Sequence, residues 1–176
     1  MLFVVMTASA TNGQDTITGF SAGGGVDTVT LVDADTLAGT GTGDAVVGSS
    51  SVALVAGAAV WDGAANIDVD TKDVGEIETT LSANGDLDKA GVTDGTELLK
   101  ALSSTSTAAT GIKTNADAAA VTDDMYLVAY QDGKAFLYNA SDANGDGFFE
   151  ASEITLVGIF NGITANAFAA GDFLIP

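Results

Sequence analysis

Between positions 142 and 153 the chain reads Asp-Ala-Asn-Gly-Asp-Gly-Phe-Phe-Glu-Ala-Ser-Glu, a spacing of oxygen donors suited to a hard divalent cation. Asp142, Asn144 and Asp146 occupy positions 1, 3 and 5 of a twelve-residue cation loop, and Gly147 at position 6 permits its sharp turn. Phe148 at position 7 offers a backbone carbonyl, and Glu150 at position 9 is a further ligand, direct or through water. Glu153 at position 12 can supply both oxygens of its carboxylate. Phe149 is apolar, as a residue tying the loop to a core should be. Carboxylate, amide and carbonyl oxygens in this order make calcium the expected ion. Without a metal, the same residues read as an Asn/Asp/Gly turn between strands.

The flanking segments decide what kind of loop this is. Lys134 to Asn139 precedes it and Ile154 to Phe160 follows it, both rich in aromatic and β-branched residues and short enough for strands. An EF-hand needs amphipathic helices there. The expected role is therefore to pin two strands with a stabilising ion, and not to open and close helices as a sensor. Upstream, Met125 to Gln131 and Lys134 to Asn139 are separated by Asp132-Gly133, a two-residue hairpin turn. That turn pairs Val128 with Leu137 and Tyr130 with Ala135 on one face, and Leu127 with Tyr138 and Ala129 with Phe136 on the other. Both faces carry apolar bulk, so the hairpin is expected to lie between two layers.

Composition narrows the function classes. The 176 residues carry 24 acids against five lysines, a net charge of −19, with no arginine, histidine or cysteine. Nucleic acid and anionic membrane surfaces are disfavoured as partners, since both are met by Lys and Arg. Triads based on His, cysteine nucleophiles and the usual zinc sites are excluded by residue type. A carboxylate pair could still hydrolyse glycosides, but no pair stands out among the acids, so the chain is read as a non-enzyme. Mean hydropathy is +0.33 with 47% hydrophobic residues, which argues for folding in spite of self-repulsion among carboxylates. Bound divalent cations would relieve that repulsion and replace the missing disulfides as staples. No segment reaches the roughly 18 continuous apolar residues of a membrane helix, so membrane insertion is not expected, and no conventional N-terminal export signal is legible.

The remaining chain reads as one mainly β domain. Residues 1–32 look like short strands between Gly/Asn/Asp turns: Leu2 to Met6, then Asp15 to Phe20, then Asp27 to Leu31. The last two fit parts of the G-G-x-G-x-D-x-U-x nonapeptide of a parallel β-roll, with Asp15 and Asp27 as candidate calcium ligands and Ile17 and Val29 pointing inward. The two aspartates are 12 apart and not nine, which marks a degenerate roll edge; ordinary strands with glycine turns fit as well. Residues 33–120 form a variable insert of small residues, with an apolar stretch at Val52–Trp61 and an acidic cluster of Asp62, Asn66, Asp68, Asp70 and Asp73. A short helix is expected over 95–103, capped by Asp94 with Glu97 three residues on, and a weaker one over Asn115–Val121. Residues 121–176 hold the hairpin, the acidic loop and the C-terminal strands.

Taken in order, these motifs resemble a known family. Asp15-Thr-Ile-Thr-Gly-Phe20, Asp27-Thr-Val-Thr-Leu31, the Tyr126-Leu-Val to Phe136-Leu-Tyr hairpin and Asp142 to Gly147 are followed by Leu156-Val-Gly-Ile159 and Ala169-Ala-Gly-Asp-Phe-Leu-Ile175. The series is similar to the C-terminal domain of repeats-in-toxin (RTX) type substrates of type I secretion, including bluetail-like domains, and to ends of bacterial surface-layer proteins. The resemblance covers roughly residues 1–32 and 121–176. It implies a calcium-binding parallel β-roll or β-solenoid-like end domain, exported by type I secretion machinery through a C-terminal signal to the cell surface or beyond. It also implies Asp142, Asn144 and Asp146 as ligands, with Asp15 and Asp27 beside them. The chain departs from the pattern in lacking a run of complete nonapeptides and in ending Ile175-Pro176.

Two functions follow as expectations. One is a secreted, calcium-stabilised structural subunit of a surface layer, filament or matrix, which assembles with other copies of itself through strand edges, the apolar segments LFVVM and FLI being candidates. The alternative is the export and folding-trigger module at the C-terminal end of a larger RTX-type protein.

Overall fold

The computed structural model describes residues 2–7, 14–23, 26–32, 47–48, 74–103, 111–113 and 124–174. The apolar stretch Val52–Trp61, the acidic cluster at 62–73, the helix expected over Asn115–Val121 and the final Ile175-Pro176 lie outside the described residues. Eleven strands are seen among the described residues: β1 (Phe3–Thr7), β2 (Asp15–Thr18), β3 (Thr28–Val32), β4 (Val47–Gly48), β5 (Val74–Thr80), β6 (Gly111–Lys113), β7 (Asp124–Gln131), β8 (Lys134–Ser141), β9 (Phe148–Glu150), β10 (Ile154–Asn161) and β11 (Phe173–Leu174). One α-helix, α1 (Thr96–Leu102), and two 3-10 turns, Ala151–Glu153 and Ala170–Asp172, join them.

The hairpin organises the molecule. Asp132 and Gly133 both adopt positive φ, 50° and 73°, the type I′ geometry that matches strand twist and that Asp-Gly accommodates. The resulting β7–β8 register pairs Val128 with Leu137, Tyr130 with Ala135, Leu127 with Tyr138 and Ala129 with Phe136, as the sequence predicts. It sits at the centre of a six-stranded sheet, order β2-β10-β8-β7-β5-β4. Both faces of that sheet are covered. On one, Tyr126, Val128, Tyr130, Leu137 and Phe160 meet Val29, Leu31 and Phe173 of a three-stranded sheet, order β1-β3-β11. On the other, Leu127, Phe136 and Tyr138 meet Leu98, Leu99 and Leu102 of α1 and Ile112 and Phe149 of the antiparallel β6–β9 pair.

The architecture is therefore mainly β, built of open sheets. β1, β2 and β3 alternate between two sheets, β1 lies parallel to β3, and β2 lies parallel to β10. Ile17 and Val29 both point into the core, as expected. A continuous stack of parallel coils is not seen among the described residues, because β8 runs antiparallel to both of its neighbours, β7 and β10. The physical reason is local: a two-residue turn can only reverse the chain, whereas parallel neighbours need a long crossover.

Helix α1 forms where expected, but its N-terminus is not a capping box. Asp94 accepts a hydrogen bond from the Thr96 N–H at 3.0 Å, while Glu97 is buried and turned to two lysines. Lys89 and Lys100 approach its Oε1 at 2.7 and 2.8 Å, and the Asp86 N–H donates to its Oε2 at 3.1 Å. The 82–94 loop is thereby clamped onto α1. Gln131 holds the same loop from the hairpin, donating to the carbonyls of Ser82 and Gly85 and accepting from the Leu87 N–H.

Candidate metal centre

The acidic loop leaves the end of β8 and re-enters the sheet as β10, with β9 and a 3-10 turn between. Asp142 is fully buried at its floor. Its Oδ1 accepts from the N–H groups of Gly145 and Asp146 at 2.8 and 3.1 Å, and its Oδ2 accepts from Gly147 N–H at 2.8 Å. One carboxylate thus orders three successive peptide units, which turn through Gly145 and Gly147 at φ of 71° and 82°. Those φ values are where glycine belongs. Two further side-chain turns follow: Asn144 Oδ1 accepts from Asp146 N–H at 2.9 Å, and Asp146 Oδ1 accepts from Phe148 N–H at 3.1 Å.

The far end folds back on the near end. Glu153 Oε1 accepts from the Asn144 N–H at 3.3 Å and its Oε2 from the Glu150 N–H at 3.0 Å. Glu150 and Glu153 together form a reciprocal capping box around the 3-10 turn, so the Glu150 carboxylate serves that turn. Phe148 is half-buried at the start of β9, and Phe149 is fully buried in the core shared with α1, which fixes the loop to the rest of the fold.

The donor set consists of hard oxygens, from Asp142, Asn144, Asp146 and Glu153 with the Phe148 carbonyl, and fits calcium better than any softer metal. Among the described residues no three His, Cys, Asp or Glu side chains are grouped so as to hold a metal ion. Among the described residues no ion pair reaches Asp142, Asp146, Glu150 or Glu153, whereas the neighbouring acidic loop at 84–97 is neutralised by Lys89, Lys100 and Lys134. At the 142–153 loop the carboxylates are met by backbone N–H groups; the lysine on the paired strand, Lys113, stands opposite Phe148 and makes no ion pair to the loop among the described residues. Asp142 Oδ1 accepts two N–H bonds, whereas Asp142 Oδ2, Asp146 Oδ1 and the two Glu153 oxygens accept one each and keep a lone pair for a cation.

The two other candidate ligands are placed apart from this loop. Asp15 is exposed at the start of β2, on the edge of the six-stranded sheet. Asp27 is buried just before β3, and accepts from Leu2 N–H at 2.6 Å and Ser21 N–H at 2.8 Å, bonds that hold its carboxyl below the usual range. Its role in the fold is to tie β1 to the turn after β2. A second buried carboxylate does the same from the other end of the chain. Asp172 Oδ2 accepts from Gly23 N–H at 2.7 Å and Ala169 N–H at 2.8 Å, linking the C-terminal segment to that turn. Phe20, Phe160, Phe168 and Phe173 close over the junction with ring centroids 5.0 to 5.6 Å apart.

Sequence reasoning missed this pair's function and the buried contact in which the Tyr130 hydroxyl donates to Glu76. The one available signal was an acid within an apolar strand, Val74-Gly-Glu76-Ile77. No protein-family model, curated protein or solved structure matches the chain.

Proposed function

We propose that the chain is a calcium-stabilised structural subunit of a bacterial extracellular layer, filament or matrix, joining copies of itself through strand edges. The observation that carries the reading is the 142–153 loop: a buried aspartate with its carboxylate, five ordered backbone N–H donors and a closing Glu153, set without a lysine in a chain of net charge −19. Asp142, Asn144, Asp146, the Phe148 carbonyl and Glu153 would hold the ion. Bound calcium would supply positive charge to a loop whose own twelve residues carry none. The chain's own residues do the rest: Asp142 shapes the turn, Phe149 anchors it, and the returning strand β10 carries the effect into the central sheet. The alternation of β1, β2 and β3 between two sheets supports a roll-like N-terminal edge, in keeping with the RTX resemblance.

Melting with and without a chelator tests the metal. At extracellular affinities of roughly 10⁻⁴ to 10⁻³ M, millimolar calcium adds about 1 kcal/mol per site, which raises Tm by about 2–4 °C for a domain of this size. An unchanged midpoint in EGTA, or a calcium response that survives in Asp142→Ala, sinks the metal. Electron microscopy of the purified protein in calcium tests the subunit; monomers at every concentration would refute it. A second reading, the export module of a larger secreted protein, is favoured by the docking of the C-terminal segment through Asp172. Secretion that continues after loss of residues 117–176 would exclude it.

A further inference from the structure

We infer that the assembly contact is made by the three-stranded sheet, β1 of one copy adding in parallel to β11 of the next, in an open head-to-tail series. The inference rests on the subunit reading and names its interface. β1, β3 and β11 contain no charged residue, in a chain with 24 acids. The two described acids that border these strands are withdrawn from the surface: Asp27 and Asp172 are buried and bonded to backbone N–H groups. Among the described residues, the large apolar side chains left exposed are Leu2, Val26 and Leu174, each on one of these strands or within two residues of it.

The charge pattern selects the occupant. Two copies approaching through other acidic surfaces meet like charge, while this sheet offers them contact without it. Among the described residues, β1 and β11 each pair with β3 alone; β11 is short, at two residues, but neither strand carries a lysine, a proline or a bulge to blunt its edge. The edges differ in sequence, so pairing one with the other is heterologous and does not close on itself. All three strands run parallel, and Val5 and Leu174 both stand level with Thr30. If the sheet continues at the same level from copy to copy, position 174 of one copy stands next to position 5 of the next.

Because the chain has no cysteine, engineered pairs report this contact cleanly. In calcium, a Val5→Cys/Leu174→Cys double variant is expected to give a ladder of disulfide-linked multimers after mild oxidation, and each single variant only monomers. Leu174→Lys, at a position 50% exposed, should keep the wild-type Tm. Its assembled fraction in sedimentation should drop by about tenfold or more, as a lysine does on a sheet edge. Dimers from Leu174→Cys alone would overturn the head-to-tail geometry in favour of a symmetric contact. Wild-type filaments with no ladder and no effect of Leu174→Lys would overturn this interface and leave the subunit reading standing. Wild-type protein that stays monomeric in calcium would overturn both.

Discussion

Glu97 shows how much one side chain can organise. Lys100 first, then Lys89, hold its carboxyl down to about 2 from a usual value near 4.5, against the opposing effect of burial. A depressed folded value means that its stabilisation is complete above about pH 4.5 and is lost as pH falls toward 2. Acid titration of the melting midpoint should show that loss, and Glu97→Gln should flatten it at a cost of about 1–2 kcal/mol at neutral pH. The alkaline side is set by Tyr130 and Tyr138. Burial raises both hydroxyls above their ordinary value, with the Glu76 carboxylate adding to the effect at Tyr130 and that of Glu97 at Tyr138. Their raised folded values keep stability intact below about pH 10 and remove it above, as the unfolded tyrosines ionise. Tyr130→Phe deprives Glu76 of a buried donor and should lower stability by about 1–3 kcal/mol, measured by urea unfolding. None of this was legible from residue types alone. Glu97 stands where a capping residue would, and only the approach of Lys89 from a separate loop reveals its other use.

Among the elements, the loop at 82–94 and helix α1 are fitted so closely that glycine is obligatory between them. A Cβ on Gly85 would lie 2.0 Å from the Glu97 carbonyl oxygen and 2.6 Å from the Ala101 nitrogen. Gly85→Ala must push the loop off the helix, and a loss of about 1–3 kcal/mol or more is expected, with faster amide exchange in α1. Elements with local causes were readable in advance. Asp132-Gly133 dictated the hairpin and its register, the strand-like flanks of residues 142–153 dictated strands, and the Leu98, Leu99, Leu102 spacing dictated the helix. What failed to read was pairing between distant segments. Asp15 and Asp27 look alike in sequence, each opening a D-T-[IV]-T strand, yet one is exposed on a sheet edge and the other is buried, bonded to the Leu2 and Ser21 N–H groups. Burial of that kind depends on Leu2 and Ser21 arriving from elsewhere, which no local pattern encodes.

At the scale of the whole molecule, charge is the dominant long-range term. With a net charge of −19, the folded state is opposed by self-repulsion that mobile ions screen over a Debye length of roughly 10 Å at 0.1 M salt. Adding sodium chloride in the presence of EGTA should therefore raise Tm, and the gain should shrink once calcium is present; calorimetry in the four conditions checks both. The same scale gives the sheet β1-β3-β11 a kinetic meaning. Its strands come from opposite ends of the chain, and the Gly23–Asp172 bond spans 149 residues. Loops that long close slowly, after local hairpins have formed. The β7–β8 hairpin should thus appear early and the three-stranded sheet last. Until residues 169–174 arrive, Gly23 lacks its bond to Asp172, and a chain emerging in sequence order leaves that junction unsealed until they dock.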